Sequence, residues 1–203
     1  MLRNGMATEH PLSTRRICNR LRSVSSEPFL SCLSQAAYQS LLALLLALLE
    51  IEIEGAHGWA EKLPTWRWGP PWYLRLTNGK PMTGYHACLL SLILLFLHGP
   101  LLEGFTWERE ARVLSVFFQL AVVWDFLWFV LNPAYGTPRF KPGQVAWFRS
   151  WIGPAPADYY GGLSLSLLLG AVSGEFRGPR AAELALQAPV VLAALGWAAS
   201  RRR

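Results

Sequence analysis

The residues best equipped for chemistry gather where a long apolar run meets its polar end: Ala36 to Leu49 leads straight into Glu50-Ile51-Glu52-Ile53-Glu54-Gly55-Ala56-His57. Carboxylates and an imidazole at the mouth of an apolar span are costly, so they mark either a functional site or polar groups satisfied by neighbouring helices. At about 100° of turn per residue, Glu50, Glu54 and His57 fall within roughly 60° of one another, while Glu52 points the opposite way. Three chemistries would use such a face. Glu54-x-x-His57 has the spacing with which helical bundles present a carboxylate and an imidazole to a divalent metal, making Glu54 and His57 candidate ligands. A di-iron bundle needs two such motifs and the chain has one, and Gly55 and Gly58 can break the helix there. The second chemistry is cofactor-free acid/base work on a lipid-soluble substrate, since a carboxyl group held away from water can stay protonated and act as an acid beside a histidine base. The third is a proton relay.

Further polar residues extend the candidate site. His86 opens the second apolar run, Asp125 lies within the third, and the helical face of Asp125 continues through Trp128 to Asn132 as D-x-x-W-F-x-x-N. Helical rise places Glu50, Glu54, His57, His86, Asp125 and Asn132 at one end of the molecule if successive runs are antiparallel. The expected catalytic set is Glu54, His57, His86 and Asp125, with Glu50, Trp128, Asn132 and His98 contacting the substrate. His98 is carried toward the opposite face unless tilt or a kink at Pro100 brings it inward. The alternative for the carboxylates is to reach the interface or pair with Arg67, Arg75, Arg139 or Arg149.

Elements able to position these groups follow from the apolar runs: Ala36 to Leu49, Ala87 to Leu102, Val113 to Leu131, Tyr159 to Val172 and Ala181 to Ala199. A bilayer core takes about 20 mostly apolar helical residues, and the first three runs approach that length with their polar ends. The expected fold is an all-α integral membrane bundle of about five spans, the alternative being four spans and a re-entrant segment. The chain is 203 residues long, 52% hydrophobic and only 16% charged, which is too apolar for an ordinary soluble domain. Its formal charge of +6 resides in tails and loops flanking the runs, so anionic lipid surfaces rather than nucleic acid are the expected partner. Cys18, Cys32 and Cys88 form neither a metal-spaced pair nor a disulfide framework. No lysine falls in a run, which removes Schiff-base chemistry there, and no second copy of the carboxylate face suggests an inverted-repeat transporter.

Residues 1–33 form a basic, Ser-rich segment expected to be a disordered tail or a targeting leader, followed by a helical membrane domain over 34–200 and a basic anchor at 201–203. The two long loops, Gly55 to Gly84 and Pro133 to Ala157, fall on the same side. They hold six of the ten tryptophans (Trp59, Trp66, Trp68, Trp72, Trp147 and Trp151), whose rings favour the headgroup region. Their many prolines predict stiff, irregular loops.

The strings EGAHGWAEKLPTWR, TGYH and WDFLWFVLNPAYG together resemble those of small, uncharacterised multi-pass membrane proteins of prokaryotes, over about Tyr38 to Tyr160. That resemblance implies no activity, only that Glu54, His57, His86, Asp125 and Asn132 belong together. The functional expectation is an intramembrane enzyme acting on a lipid or isoprenoid, with a proton or small-solute carrier or an accessory subunit of a membrane complex as alternatives.

Overall fold

The computed structural model describes residues 12–174 and Gln187, with side-chain surroundings from residue 30 onward. It is mostly helical. Helix α1 spans Leu12–Glu54, α2 Pro71–Leu76, α3 Gly84–Leu97, α4 Trp107–Leu131 and α5 Ala157–Val172. Two antiparallel pairs of two-residue strands lie in the long loops: β1 (Arg67–Trp68) with β2 (Met82–Thr83), and β3 (Trp151–Ile152) with β4 (Ala155–Pro156). Loops expected to be irregular are thus pinned by short antiparallel pairings, the first bracketing α2 and the second a tight turn.

The leucine-rich part of α1 packs in a way opposite to a soluble amphipathic helix. Ala36, Gln39, Ser40, Ala43, Leu46, Ala47, Glu50 and Glu54 are buried along one side of the helix, while Leu41, Leu45, Leu48, Leu49 and Ile53 face outward. Small side chains on the inner face let helix backbones approach closely, while large apolar ones are left on the outer face. Glu52 is exposed, on the face opposite Glu50 and Glu54. The helix stops because Gly55 adopts φ +62°, a left-handed conformation that ends helices readily only at glycine.

Helix α4 is the central element, packed against both α1 and α5. Thr106 caps it by accepting a hydrogen bond from Arg109 N, and Glu108 and Glu110 lie in its first turn, where carboxylates complement the helix dipole. Ser115 and Ser166 clasp α4 to α5: each hydroxyl donates to the other's backbone carbonyl, at 2.7 and 2.8 Å. A buried glutamine ladder ties α4 and α1 to Gln187, with Gln119 donating to Gln187 at 2.7 Å and Gln187 to Gln39 at 3.1 Å.

Two helical segments are long and apolar enough to cross a membrane, Leu30–Glu54 and Trp107–Leu131, each of 25 residues. The run expected as a second span is shorter as a helix. Helix α3 ends at Leu97, His98 serves as its C-cap, and Gly99–Glu103 tightens into a 3₁₀ turn with Pro100 in its first positions. Its 14 residues rise only about 21 Å, short of a roughly 30 Å hydrocarbon core. The run expected as a fifth span, the basic anchor at 201–203 and the first eleven residues of the tail lie outside the described residues, Gln187 excepted.

The tryptophans of the two loops do different things. Trp66, Trp68 and Trp72 are exposed, in keeping with an interfacial belt, whereas Trp147 and Trp151 are half-buried. Trp147 stacks on Phe129 at 5.7 Å and lies edge-on to Trp128, and Phe148 and Phe140 continue the aromatic cluster to Tyr159. Gly58 permits this closure, since a Cβ there would stand 2.2 Å from the Trp147 ring.

Candidate functional site

Glu50 and Glu54 lie one turn apart on the inner face of α1, so both carboxylates project from the same side of the helix. His86 meets them from the first turn of α3. Its place is set by Thr83, the N-cap of that helix, whose hydroxyl oxygen accepts the His86 backbone N–H at 3.1 Å and lies 2.7 Å from His86 Nδ1. One threonine therefore caps the helix and orients the ring it carries. His86 Nε2 is turned to Glu50 Oε1 at 3.5 Å and Glu54 Oε1 at 3.8 Å. All three side chains are buried, with ligand atoms within 4.8 Å of one another.

The loop after α1 completes this wall at a conformational cost. Trp59 and Ala60 have φ of +56° and +53°, a region that costs a non-glycine residue about 1–3 kcal/mol and persists only where surroundings enforce it. Two contacts explain the geometry. Ala60 N donates to Glu54 Oε1 at 2.5 Å, and the Trp59 ring stacks on His86 with centroids 4.1 Å apart. Trp59 is itself anchored by donation from Nε1 to Pro81 O at 2.8 Å. The strained residues thus fix one carboxylate and one face of the imidazole.

A cavity of about 580 Å³ opens beside this cluster. Glu50, Glu54 and His86 line one wall, and α4 and α5 supply Asp125 and Tyr159, whose hydroxyl donates to Asp125 Oδ2 at 2.5 Å. Much of the remaining lining is apolar or aromatic, including Phe117, Val122, Trp124 and Leu165. At the loop end, Lys80 pairs with Asp158 and lies over the rings of Trp59 and Phe148. Tyr73 also borders the cavity, and burial raises its phenol above its ordinary value of 10.0, keeping it a proton-bearing donor.

Of the residues singled out from the sequence, Glu50, Glu54, His86, Asp125 and Trp128 line this cavity. Asn132 acts beside it as a latch, Nδ2 donating to Gly55 O at 2.8 Å and Oδ1 accepting from Ala134 N at 2.9 Å. His57 does not join. The left-handed turn at Gly55 ends the helical register after Glu54, so the i, i+3 pairing of Glu54 and His57 as metal ligands is lost, and His57 lies exposed with Nδ1 3.7 Å from Glu61. His98 is also elsewhere: its Nε2 is 3.2 Å from Glu110 and its Nδ1 is 2.6 Å from Leu94 O, near the start of α4. There the carbonyl of Leu94 and the Glu110 carboxylate raise its pKa above the ordinary 6.5.

Sequence reasoning missed Thr83, Lys80, Asp158 and Tyr159. Thr83 carries a local signal, a threonine directly before a helix start. Lys80 in a loop pairs with Asp158 in the first turn of α5, which no spacing reveals.

Comparison with protein-family profiles, with curated proteins and with solved structures found no match to the chain.

Proposed function

We propose that the chain is a multi-pass integral membrane protein that admits a lipid-soluble molecule into the cavity between α1, α4 and α5 and acts on it as an enzyme. The observation that carries this reading is the cavity itself: about 580 Å³, largely apolar, with carboxyl groups, an imidazole and a phenol brought to its walls. That combination of apolar volume and a few convergent polar groups is what small-molecule sites share. An accessory subunit would bring its buried polar groups into mutual satisfaction and leave no such space. The membrane reading is supported by the two 25-residue apolar helices and by the outward row of leucines on α1, continued by Leu92, Leu95 and Phe96 on α3 and Leu168 and Val172 on α5.

The reaction class best matched to these residues is proton transfer on an isoprenoid or other lipid, as in double-bond isomerisation. Asp125 with Tyr159 serves as one partner and the Glu50, Glu54 and His86 group as the other, one delivering a proton while the other removes one. No net proton is then consumed, and the apolar lining keeps water from quenching a cationic intermediate. Trp124 and Trp128 present aromatic surface to such a cation.

The test is purification of the full chain in detergent with mass spectrometry of co-purifying lipids, for the wild type and for Glu54→Gln. A discrete lipid-soluble species enriched over bulk lipid, and changed in amount or identity by Glu54→Gln, is expected. Bulk lipid alone in both samples, with a variant that is merely less stable, removes the proposal.

A further inference from the structure

Four features of the Glu50, Glu54 and His86 cluster go beyond acid/base chemistry. First, His86 Nε2 stands 3.5 and 3.8 Å from its two carboxylate oxygens, outside the roughly 2.7–3.2 Å of a good N–H···O hydrogen bond. Those gaps suit a different object. Ligand atoms at about 2.0–2.1 Å from a tetrahedral metal ion lie about 3.4 Å apart, so the two observed separations are within a few tenths of an ångström of ligand-to-ligand edges. Second, His86 is 5% exposed and its other nitrogen faces the Thr83 hydroxyl at 2.7 Å. A ring whose Nδ1–H donates outward presents a bare Nε2 lone pair inward, the arrangement that metal-bound histidines share. Third, Glu54 Oε1, the oxygen that faces His86, also accepts from the Ala60 N–H, which fixes the carboxylate and leaves a second lone pair on that oxygen for an ion. Fourth, the three side chains line the cavity together with Asp125 and Tyr159, so an ion held by them is reached from the cavity.

We infer that Glu50, Glu54 and His86 form a three-ligand site for a divalent transition-metal ion, with its open coordination position facing the cavity. Two carboxylate oxygens and one imidazole suit zinc, manganese or ferrous iron, whereas magnesium and calcium favour all-oxygen sets. The open position takes an oxygen of the cavity's occupant or a water. The ion would polarise that oxygen, and with Glu50, Glu54 and His86 engaged as its ligands a water on the ion would take the proton-transfer role proposed for them, while the Asp125–Tyr159 pair keeps its own. This site differs from the Glu54-x-x-His57 pair that the sequence suggests, because His57 lies outside it. The inference rests on the cavity being the place of reaction, and it predicts a component that the lipid measurement does not detect.

The experiment is equilibrium titration of the chelator-stripped full chain in detergent with Zn²⁺ and, separately, Mn²⁺, read by elemental analysis after desalting and by melting temperature. The wild type is expected to take up about one equivalent of at least one of the two ions and to melt higher with it, as a ligand of the native state requires. Glu50→Gln, whose amide keeps the size of the side chain, is expected to lose at least tenfold in affinity. Thr83→Val removes the hydroxyl facing His86 Nδ1 without touching the ion, and is expected to lose roughly 10- to 100-fold. Glu110→Gln, beside His98, serves as the control and should bind as the wild type does. Substoichiometric uptake by a folded wild type, or equal affinity in wild type and a folded Glu50→Gln, overturns the metal site. A specific co-purified lipid in that same preparation would leave the enzyme reading standing, and a tightly held metal with only bulk lipid would remove the lipid reading alone.

Discussion

Replacing Asn132 by alanine severs the connection between the end of α4 and the end of α1. The amide works in both directions, Nδ2 donating to Gly55 O at 2.8 Å and Oδ1 accepting from Ala134 N at 2.9 Å. Each partner can play only one role, a carbonyl accepting and an N–H donating, so the orientation of the amide is fixed. Asn132 is 2% exposed, but both hydrogen bonds are only part-buried at their backbone ends. Water can therefore replace some of what is lost, and the net value of about 0.5–1.5 kcal/mol per bond applies rather than the full penalty of an orphaned group. Two bonds give about 2 kcal/mol, which for a chain of this length is a fall in melting temperature of roughly 4–8 °C.

The effect should reach the site, because Gly55 directly follows Glu54 and its carbonyl is where the latch attaches. Asn132→Ala is expected to lower retention of the cavity's occupant along with stability. Asn132→Asp is the sharper variant. It keeps the acceptor for Ala134 N and sets a second acceptor against Gly55 O, so it too must melt below the wild type despite its near-identical shape. Glu52→Gln, on the exposed face of the same helix end, should stay within about 0.5 kcal/mol. Thermal denaturation in detergent followed by near-ultraviolet circular dichroism reads all three. An Asn132→Asp variant as stable as the wild type would refute the donor role of the amide, and an Asn132→Ala variant unchanged in stability would refute the latch.

Two other outcomes are expected. Gly161 lines the cavity from the interior of α5, and a Cβ there meets nothing within 4 Å, so Gly161→Leu should add about 0.5–1 kcal/mol through helix propensity while narrowing the cavity; melting temperature should rise as co-purified lipid falls, and undiminished lipid would show that the occupant sits elsewhere. His98 has a pKa raised above 6.5 by the Leu94 carbonyl and Glu110, so its stabilising contribution is complete below that value and is lost as pH rises through the higher folded value; melting temperature measured across this window should decline in the wild type and flatten in His98→Gln, and equal slopes would remove His98 as the source.

Within α1 the site was legible because local periodicity carries through to packing. Ala36, Gln39, Ser40, Ala43 and Ala47 make one narrow stripe of small and polar side chains in a leucine-rich helix, and Glu50 and Glu54 continue it while Glu52 does not. A uniform rotation per residue extrapolates well along a helix and fails at the first residue beyond it. His57 therefore leaves that face: the single left-handed step at Gly55 redirects everything that follows, and His57 ends beside Glu61. The imidazole that does meet the carboxylates comes from the start of another helix, where Thr83 caps the backbone and faces the ring nitrogen. Composition overstated the second span for a related reason. Apolar character continues through Leu102, but Pro100 lacks the N–H needed to continue the α-helical ladder, and the chain leaves the α-helix at Leu97. The Lys80–Asp158 pair and the Tyr159–Asp125 bond were invisible for the opposite reason, since each joins residues far apart in the chain and depends on how the segments meet. The loops show the same division: exposed Trp66, Trp68 and Trp72 behave as their composition suggests, while Trp147 turns inward because Gly58 leaves room for its ring against Trp128. One missing side chain thereby converts an expected interfacial anchor into part of the cavity wall.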